Sequence, residues 1–559
     1  MAKMAAKVFA ALFALVPASV LAAGPELVLY NGQLITLDDA QPQASAIAIS
    51  DGVIQQIGDD ATIRALASQD TRQIDMGGRT VIPGLTDGHS HLIRGGQSFT
   101  SETFWLDETS LASALEKLTA AAKDRNPDEW VVVAGSWIPE QFDEKRGPTP
   151  EELTAAVPDH PAYVQLLYDD AWVNARGIDV LRLNSPDPAV PPSITVERDA
   201  EGRATGRLLG GVFPYNMLLP QLLPQDPERR KESLRTFFAT LNSYGVTGFV
   251  DATAGGPENY QMPFDLDRAG ELNLRVSYRI PGLDPGHEPE WIARFMAFRQ
   301  PHYEAGRIGF VGLGEALVGE MYDGVQMGPG FTSPPPAHER LRMIGDFAAE
   351  RGIPLEFHAY TDDAAAAILD VFEDVNTRHS IRDLRWSLAH LNTGSERTLQ
   401  RMADLGLAYS VQMGPYFEAP GILAANGPEV AAKSPPLRAA LDKGLMVVGG
   451  TDSTRIGVYG VWQAIEYHVT GTSLGGVVQK SDDQLLTREE ALRLYTSNAA
   501  WMNFAEERRG TLSPGKQADL AVLDQPYLTM PADRIDTIRA DLTLIDGEIV
   551  HDVLTQGQQ

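Results

Sequence analysis

Apolar strands alternate with amphipathic helices along most of the chain, from about residue 80 to residue 507, and this leaves few folds open to it. One unit has a helix that begins after Asp226 and ends at Gly245, followed directly by the strand-like run Val246–Ala252. A second helix stops at Gly352, before the strand-like run Pro354–His358. Repeated units of this length predict a parallel sheet, and a (β/α)8 TIM-like barrel is the commonest large α/β solution.

Eight segments are candidates for the parallel strands of that barrel. In chain order they are Thr80–His89, Val246–Ala252, Leu274–Ile280, Gly309–Glu315, Pro354–His358, Arg385–His390, Leu407–Gln412 and Met446–Asp452. The region from Glu102 to about Leu219 is too long for one strand-to-helix connection. It contains strand-like runs of its own, at Trp130–Ala134 and Ala162–Leu167. We therefore expect residues 102–219 to form an insertion after strand one, over the barrel mouth.

Both ends of the chain have a different pattern, with short alternating strands around turn dipeptides. Asn31-Gly32 and Asp51-Gly52 lie in such runs near the start, and Asp546-Gly547 lies in one near the end. These dipeptides favour tight hairpins. We predict a small β-sandwich domain built from residues 24–79 and 508–559, with the barrel at 80–507; two separate hairpin decorations are the alternative.

Bulk composition excludes some functions. The formal net charge of −29 makes nucleic-acid binding improbable, because an acidic surface repels phosphates. The sequence has no cysteine, so any metal must be held by nitrogen and oxygen ligands. The expected partner is a small-molecule substrate, and the sequence leaves a homo-oligomer open.

The first residues have the pattern of a secretory signal. Lys3 and Lys7 give a basic start, Val8–Val20 is apolar, and cleavage is expected after Ala22 or Ala23. A membrane anchor is the alternative, but the run is short for a span. We therefore assign residues 1–23 as a signal peptide and expect a periplasmic or secreted protein without stable membrane insertion.

Candidate metal ligands fall at the carboxyl ends of the predicted strands, where barrel active sites are built. They are His89, His91, Glu315, His358, His390 and Asp452. His89 and His91 project to the same side of a strand, since side chains alternate with period two, and can hold one divalent ion. Each residue alone has a structural explanation, but burying six ionisable groups at one place without a cation would be costly.

The motifs that carry these residues resemble the amidohydrolase superfamily. They are Ile82-Pro-Gly-Leu-Thr-Asp-Gly-His-Ser-His91, Glu356-Phe-His358, Leu388-Ala-His390, Gly450-Thr-Asp452 and the carboxy-terminal run Gly510–Leu523. Ala171-Trp-Val-Asn174 in the insertion is similar to the branch of amidohydrolase family 3 that includes N-substituted formamide deformylases. The resemblance covers nearly the whole chain after residue 23.

The resemblance implies a two-metal site. His89, His91 and Asp452 would hold one ion, and His358 and His390 the second. Many relatives bridge the ions with a carboxylated lysine at the end of strand four; here Glu315 is the nearest candidate bridge and Glu320 the alternative. Two zinc ions are the default, while one ion, or iron, manganese or nickel, would also fit the ligand types.

This site predicts a metal-dependent hydrolase that acts on carbon–nitrogen bonds other than peptide bonds. A metal-activated hydroxide would attack an N-acyl or N-formyl carbonyl, with Asp452 as base and then acid. A lactonase or esterase, or a phosphotriesterase-like enzyme, would use the same ligands. A non-catalytic periplasmic binding or regulatory protein is the alternative from another class.

Four residues are candidates for substrate contacts. They are Trp137, Tyr168, Trp172 and Arg438. The aromatic residues would form a wall for an apolar group, and Arg438 would meet an anionic group. Ordinary packing of the insertion, and an ion pair in the barrel wall, are the alternatives. Asp169 stands where similar sequences often carry a histidine, three positions before Trp172.

Overall fold

The computed structural model describes residues 24–253, 256–297 and 304–556. The segment 1–23, predicted as a signal peptide, lies outside the described residues. No helix within the described ranges is long and apolar enough to cross a membrane.

Eight parallel strands form the centre of the molecule, in two sheets with a TIM-barrel-like α/β arrangement. The first sheet has the parallel strands Leu85–Ser90, Val246–Asp251, Arg275–Ile280 and Ile308–Leu313, with the short antiparallel strand Glu304–Ala305 at its edge. The second has Glu356–Ala359, Ser387–His390, Ala408–Val411 and Val447–Gly449. Each of the eight predicted segments therefore overlaps a parallel strand.

Single contacts link the two sheets where continuous strand pairing stops. Leu313 pairs with Leu355 between the fourth and fifth strands. Between the eighth strand and the first, the backbone N–H of Asp452 donates to the His89 carbonyl at 3.0 Å. The carboxyl ends of both sheets therefore surround one centre.

Helices lie between the parallel strands and bury their apolar faces. They are Pro227–Asn242, Gln261–Arg268, Glu288–Met296, Pro335–Glu350, Asp362–Asn376, Glu396–Leu405, Gly414–Asn426, Pro428–Ala431, Leu437–Asp442, Val461–Thr470, Arg488–Leu494 and Ser497–Met502. Side-chain caps mark where two of these helices begin. The Asp226 side chain accepts from the Arg229 N–H, and Thr487 with Glu490 forms a capping box.

The predicted first strand, Thr80–His89, is wrong as one strand. Thr80–Pro83 pairs with Leu520–Leu523 in a sheet at the chain ends, while Leu85–Ser90 joins the parallel strands. The chain turns from one sheet to the other at Gly84, where an added Cβ would lie 2.3 Å from the Thr247 hydroxyl oxygen. Only glycine allows this close approach.

Strands from both chain ends build two further sheets. One contains Leu27–Tyr30, Ala46–Ser50, Val53–Gly58 and Arg72–Asp75; the other contains Gln33–Ile35, Gln43–Ala44, Thr80–Pro83, Leu520–Leu523, Ala540–Ile545 and Glu548–Asp552. A short helix, Asp60–Arg64, packs beside the first sheet. Leu29, Ile47, Val81 and Leu520 belong to one apolar core that both sheets share.

The insertion carries a five-stranded sheet of its own. Its strands are Val131–Val133, Ala162–Leu166, Asp170–Val173, Thr195–Arg198 and Ala204–Leu209, and its helices are Leu111–Ala122, Pro150–Ala156, Ala175–Val180 and Val212–Leu222. Trp105, Trp137 and Phe142 are fully buried in its core. The last of these helices, Val212–Leu222, contributes side chains to the cavity above the parallel strands.

Candidate metal centre

Two histidines of the first strand face two carboxylates. Nε2 of His91 lies 3.1 Å from Oδ1 of Asp452 and 3.2 Å from Oε1 of Glu315. Nε2 of His89 lies 3.5 Å from Oε2 of Glu315 and 3.9 Å from Oδ1 of Asp452. These nitrogens and oxygens are close enough to share a cation.

The Glu315 carboxylate is the centre of the cluster. Besides the first two histidines, its Oε2 lies 3.1 Å from Nδ1 of His358 and 3.4 Å from Nε2 of His390. Asp452 completes the group, with Oδ2 at 3.9 Å from Nδ1 of His390. The six predicted residues are all buried and all meet here; their role as ligands stays a prediction.

Two sets of three residues have ligand atoms that all lie within 4.8 Å of one another. They are His89, His91 and Asp452, and His89, Glu315 and His390. The first set is the one that the sequence motifs imply for one ion. His358 belongs to neither set, because its Nε2 atom points to the Gly324 carbonyl at 2.7 Å while Nδ1 faces Glu315.

The donor set fits a divalent cation, and one of its buried atoms is left for such a partner. Nε2 of His89 is buried and has no hydrogen-bond partner among the described residues. A buried polar atom left without a partner is costly. Hydrogen bonds at the Nδ1 atoms fix the orientation of both rings. Nδ1 of His89 lies 2.8 Å from Glu356, and Nδ1 of His91 lies 2.9 Å from the Thr253 carbonyl. Both Nε2 atoms are thereby aimed inward, as in most histidine metal sites.

Burial and charge interactions within the cluster set the protonation states of its members. Burial alone would raise the pKa of Glu315, but the surrounding histidines hold it well below its usual range. Burial and the neighbouring His358 lower the pKa of His390 to about 4. Glu315 is therefore ionised and His390 neutral near pH 7, which are the forms that bind metal. Against the effect of burial, the facing carboxylates raise the pKa of His358 to about 10 and the pKa of His91 well above its ordinary value, so a cation bound here would displace protons from these two rings.

Asp87, buried under the centre, ties the first and eighth strands together. Its carboxylate accepts from the backbone N–H of Thr451 at 3.0 Å and from the Thr451 hydroxyl at 2.5 Å. Gly450 makes this approach feasible, because a Cβ there would lie 2.6 Å from the His89 carbonyl oxygen. The Gly-Thr-Asp motif thus holds Asp452 against the two histidines.

A cavity of about 260 Å³ opens onto the cluster. His91, Glu315, His358 and Asp452 lie at its base; Tyr168, Phe213, Tyr322, Val325, Tyr360 and Ile456 supply much of its wall. The Tyr322 ring stacks on His358 with 3.8 Å between ring centres. The cavity can therefore hold a small, partly apolar molecule against the cluster.

Of the four predicted substrate contacts, the structure brings only Tyr168 to this cavity. Trp137 is fully buried in the insertion, where its indole N–H donates to the Gln165 carbonyl at 2.7 Å, and Trp172 packs beside it. Arg438 forms an ion pair with Glu490 at 2.9 Å. The two tryptophans therefore pack within the insertion, and Arg438 takes part in an ion pair; these are the alternatives given in the sequence analysis.

Glu320 is not in the cluster. Its carboxylate is half exposed and pairs with Arg340 at 2.6 Å. Of the two glutamates considered as a bridge, only Glu315 meets the histidines.

Several residues of the site were missed from the sequence. Glu356 precedes His358 by two positions, so strand periodicity places both on one side and was a usable signal. Asp323 lies in a loop, 3.4 Å from Nε2 of His358, and no local pattern marks it. Arg94, three residues after His91, lines the cavity and was also unmarked.

The TIM-barrel-like fold and this cluster are those of a metal-dependent hydrolase, and comparison with known proteins agrees. The model of the amidohydrolase family matches residues 72–551, so the chain belongs to that family. The N-substituted formamide deformylase of Arthrobacter pascens is 26% identical over 93% of this chain and 97% of its own.

Solved structures show the same fold. An uncharacterized metal-dependent hydrolase from Pyrococcus furiosus matches with a TM-score of 0.65 and 22% identity, over 90% of this chain and 100% of that one. The atrazine chlorohydrolase TrzN from Arthrobacter aurescens, complexed with zinc, matches with a TM-score of 0.51 and 16% identity, over 94% and 96%.

Proposed function

We propose that this protein is a metal-dependent hydrolase that cleaves the amide-type C–N bond of an N-acyl or N-formyl small molecule, not a peptide bond. The observation that carries the proposal is Glu315, a buried carboxylate surrounded by four histidines beside Asp452. Membership of the amidohydrolase family and the similarity to a formamide deformylase support this reaction class.

Two zinc ions are the proposed cofactor. His89, His91 and Asp452 would hold one, and His390 with His358 the other, with Glu315 between them through its two oxygens. Nitrogen and oxygen donors of this kind suit zinc, and the similar fold of TrzN was solved with zinc.

A divalent cation held here would lower the pKa of a water molecule and polarise a carbonyl oxygen. Asp452 would accept the proton of the attacking water and deliver it to the leaving nitrogen, since it lies at the cavity base beside His91. The aromatic wall would hold the acyl group and exclude bulk water.

We also propose the domain organisation and the location of the protein. The eight parallel strands would close as a barrel, and the two sheets of the chain ends would form a β-sandwich. The predicted signal peptide supports a periplasmic or secreted location.

Metal content and turnover test the proposal. Elemental analysis of the purified parent is expected to give about two metals per chain, with one or both lost in Glu315→Ala. Glu320→Ala is the matched control and should keep the parent's metal, because Glu320 pairs with Arg340 outside the cluster. The metal-loaded parent should hydrolyse N-formyl or N-acetyl amines in a screen that includes esters and lactones.

A parent without metal after reconstitution would overturn the proposal. A preference for lactones or esters over every amide would instead assign the alternative hydrolase class to the same ligands.

A further inference from the structure

Arg94 lies beside the metal centre without an ion pair to any described residue, although its charge acts at longer range on the buried carboxylate of Asp251. It belongs to the short helix Leu92–Gly96, directly after His91. Residues three apart lie on one helix face, so Arg94 and His91 border the same cavity. The Arg94 side chain has no hydrogen bond or ion pair with any residue that the structure describes, although it is half-buried.

Arg94 also borders two neighbouring cavities. With Asn216 it lines both the cavity over the cluster and an adjoining cavity of about 450 Å³. A ligand group bound by Arg94 would therefore lie at the border of both cavities, close to Glu315 and Asp452.

The other cations of the larger cavity already have partners. Arg455 pairs with Glu102 at 3.0 Å, and Arg230 donates to the side-chain carbonyl of Gln97. Glu258, the acidic residue of this lining, is exposed. Arg230 has no ion pair, but its guanidinium is held by Gln97; among the described residues that line the two cavities, Arg94 is the cation with neither a hydrogen bond nor an ion pair.

An unpaired, half-buried guanidinium favours an anionic ligand. Its planar fork of N–H donors matches a carboxylate in a bidentate geometry. With a net charge of −29, the surface as a whole repels anions, so only a local cation can attract one here.

We propose that Arg94 binds a carboxylate of the substrate close to the scissile bond, so that the substrates are N-acylated amino acids or related amides with a carboxylate. This inference rests on the proposed amide hydrolysis. Arg94 is a specificity-determining residue in it and takes no part in the bond cleavage.

The test compares matched substrates that differ in one charge. The N-formyl and N-acetyl derivatives of glycine and of both leucine enantiomers are each supplied as the carboxylate and as the primary carboxamide. The metal-loaded parent should prefer carboxylates by about 10- to 100-fold in kcat/KM. Arg94→Gln should lower kcat/KM for the carboxylates and leave kcat/KM for the carboxamides unchanged, so that the preference disappears. Arg94→Lys should keep part of the preference.

Arg229→Gln is the matched control. It removes the same charge from the exposed start of the helix Pro227–Asn242, where Arg229 pairs with Glu129 at 2.7 Å, and should leave both substrate series unchanged. Equal rates for carboxylates and carboxamides, unaffected by Arg94→Gln, would overturn the role of Arg94 and leave the hydrolase in place.

A parent that hydrolyses none of these amides would overturn the proposed reaction, and binding then tests Arg94 separately. Calorimetric titration of the metal-loaded protein with the same compounds should detect carboxylate binding that Arg94→Gln weakens. Equal binding to the parent and the variant would overturn the anion site.

Discussion

Oε1 of Glu356 lies 2.8 Å from Nδ1 of His89, and both side chains are fully buried. Burial alone would raise the pKa of Glu356, but Arg279 and His89 lower it to about 2. An ionised carboxylate can only accept, so Nδ1 carries the proton. Nε2 then faces Glu315 and Asp452, and in the neutral ring it would offer its lone pair to a cation held there.

We therefore expect Glu356→Gln to weaken metal binding by about 10- to 100-fold, because the ring loses the partner that fixes its tautomer and orientation. Titration against a competing chelator measures this. Ser387→Ala is the control, since it removes only the hydroxyl that donates to the other carboxylate oxygen at 2.9 Å. Equal affinity in Glu356→Gln and the parent would contradict the role of Glu356.

The meeting of the candidate ligands could be predicted because their positions obey local rules. Strand periodicity places His89 and His91 on one side, and the carboxyl ends of parallel strands meet at one face. Those two rules place Glu315, His390 and Asp452 there as well.

Partners that are distant in the sequence could not be predicted. Arg438 pairs with Glu490 in a later helix, and no local pattern distinguishes that contact from a contact with substrate. Trp137 likewise belongs to the core of the insertion, which only the packing of the whole segment defines. The turn at Gly84 was hidden because the apolar pattern continues across two different sheets.

Asp452→Asn is expected to keep much of the metal and lose about 10²- to 10⁴-fold in kcat. The amide oxygen can still act as a ligand, but the side chain can no longer take up and release a proton. Parallel measurements of metal content and kcat separate the two roles. A fully loaded variant that turns over like the parent would exclude Asp452 as the base.

Trp137→Phe should lower stability without changing KM. The substitution removes the hydrogen bond to the Gln165 carbonyl and leaves a gap in the insertion core, at a cost of about 1–3 kcal/mol. Tyr168→Leu is the comparison, because Tyr168 lines the cavity and its loss should change KM more than Tm. Thermal unfolding and steady-state kinetics on both variants measure the two effects, and a raised KM in Trp137→Phe would restore that residue as a substrate contact.

Lys480 should make stability depend on pH in the alkaline range. It is buried, with Nζ 3.3 Å from the Pro435 carbonyl, and burial together with Arg438 lowers its pKa to about 7. The unfolded chain keeps this proton up to about pH 10.5, whereas the folded protein releases it near pH 7. The unfolded state thus binds more protons between these values, and the free energy of unfolding contributed by this residue rises with pH there.

Lys480→Met removes that contribution. The variant should be more stable than the parent near pH 7, by on the order of a few kcal/mol, and the difference should shrink toward pH 10. Denaturant unfolding of both proteins across this pH range measures the difference in their free energies of unfolding. The contributions of all other titrating groups are the same in both proteins and cancel in this difference. Lys123→Met, at an exposed position, should give a difference that does not change with pH. A constant difference for Lys480→Met as well would mean that Lys480 stays charged in the folded protein.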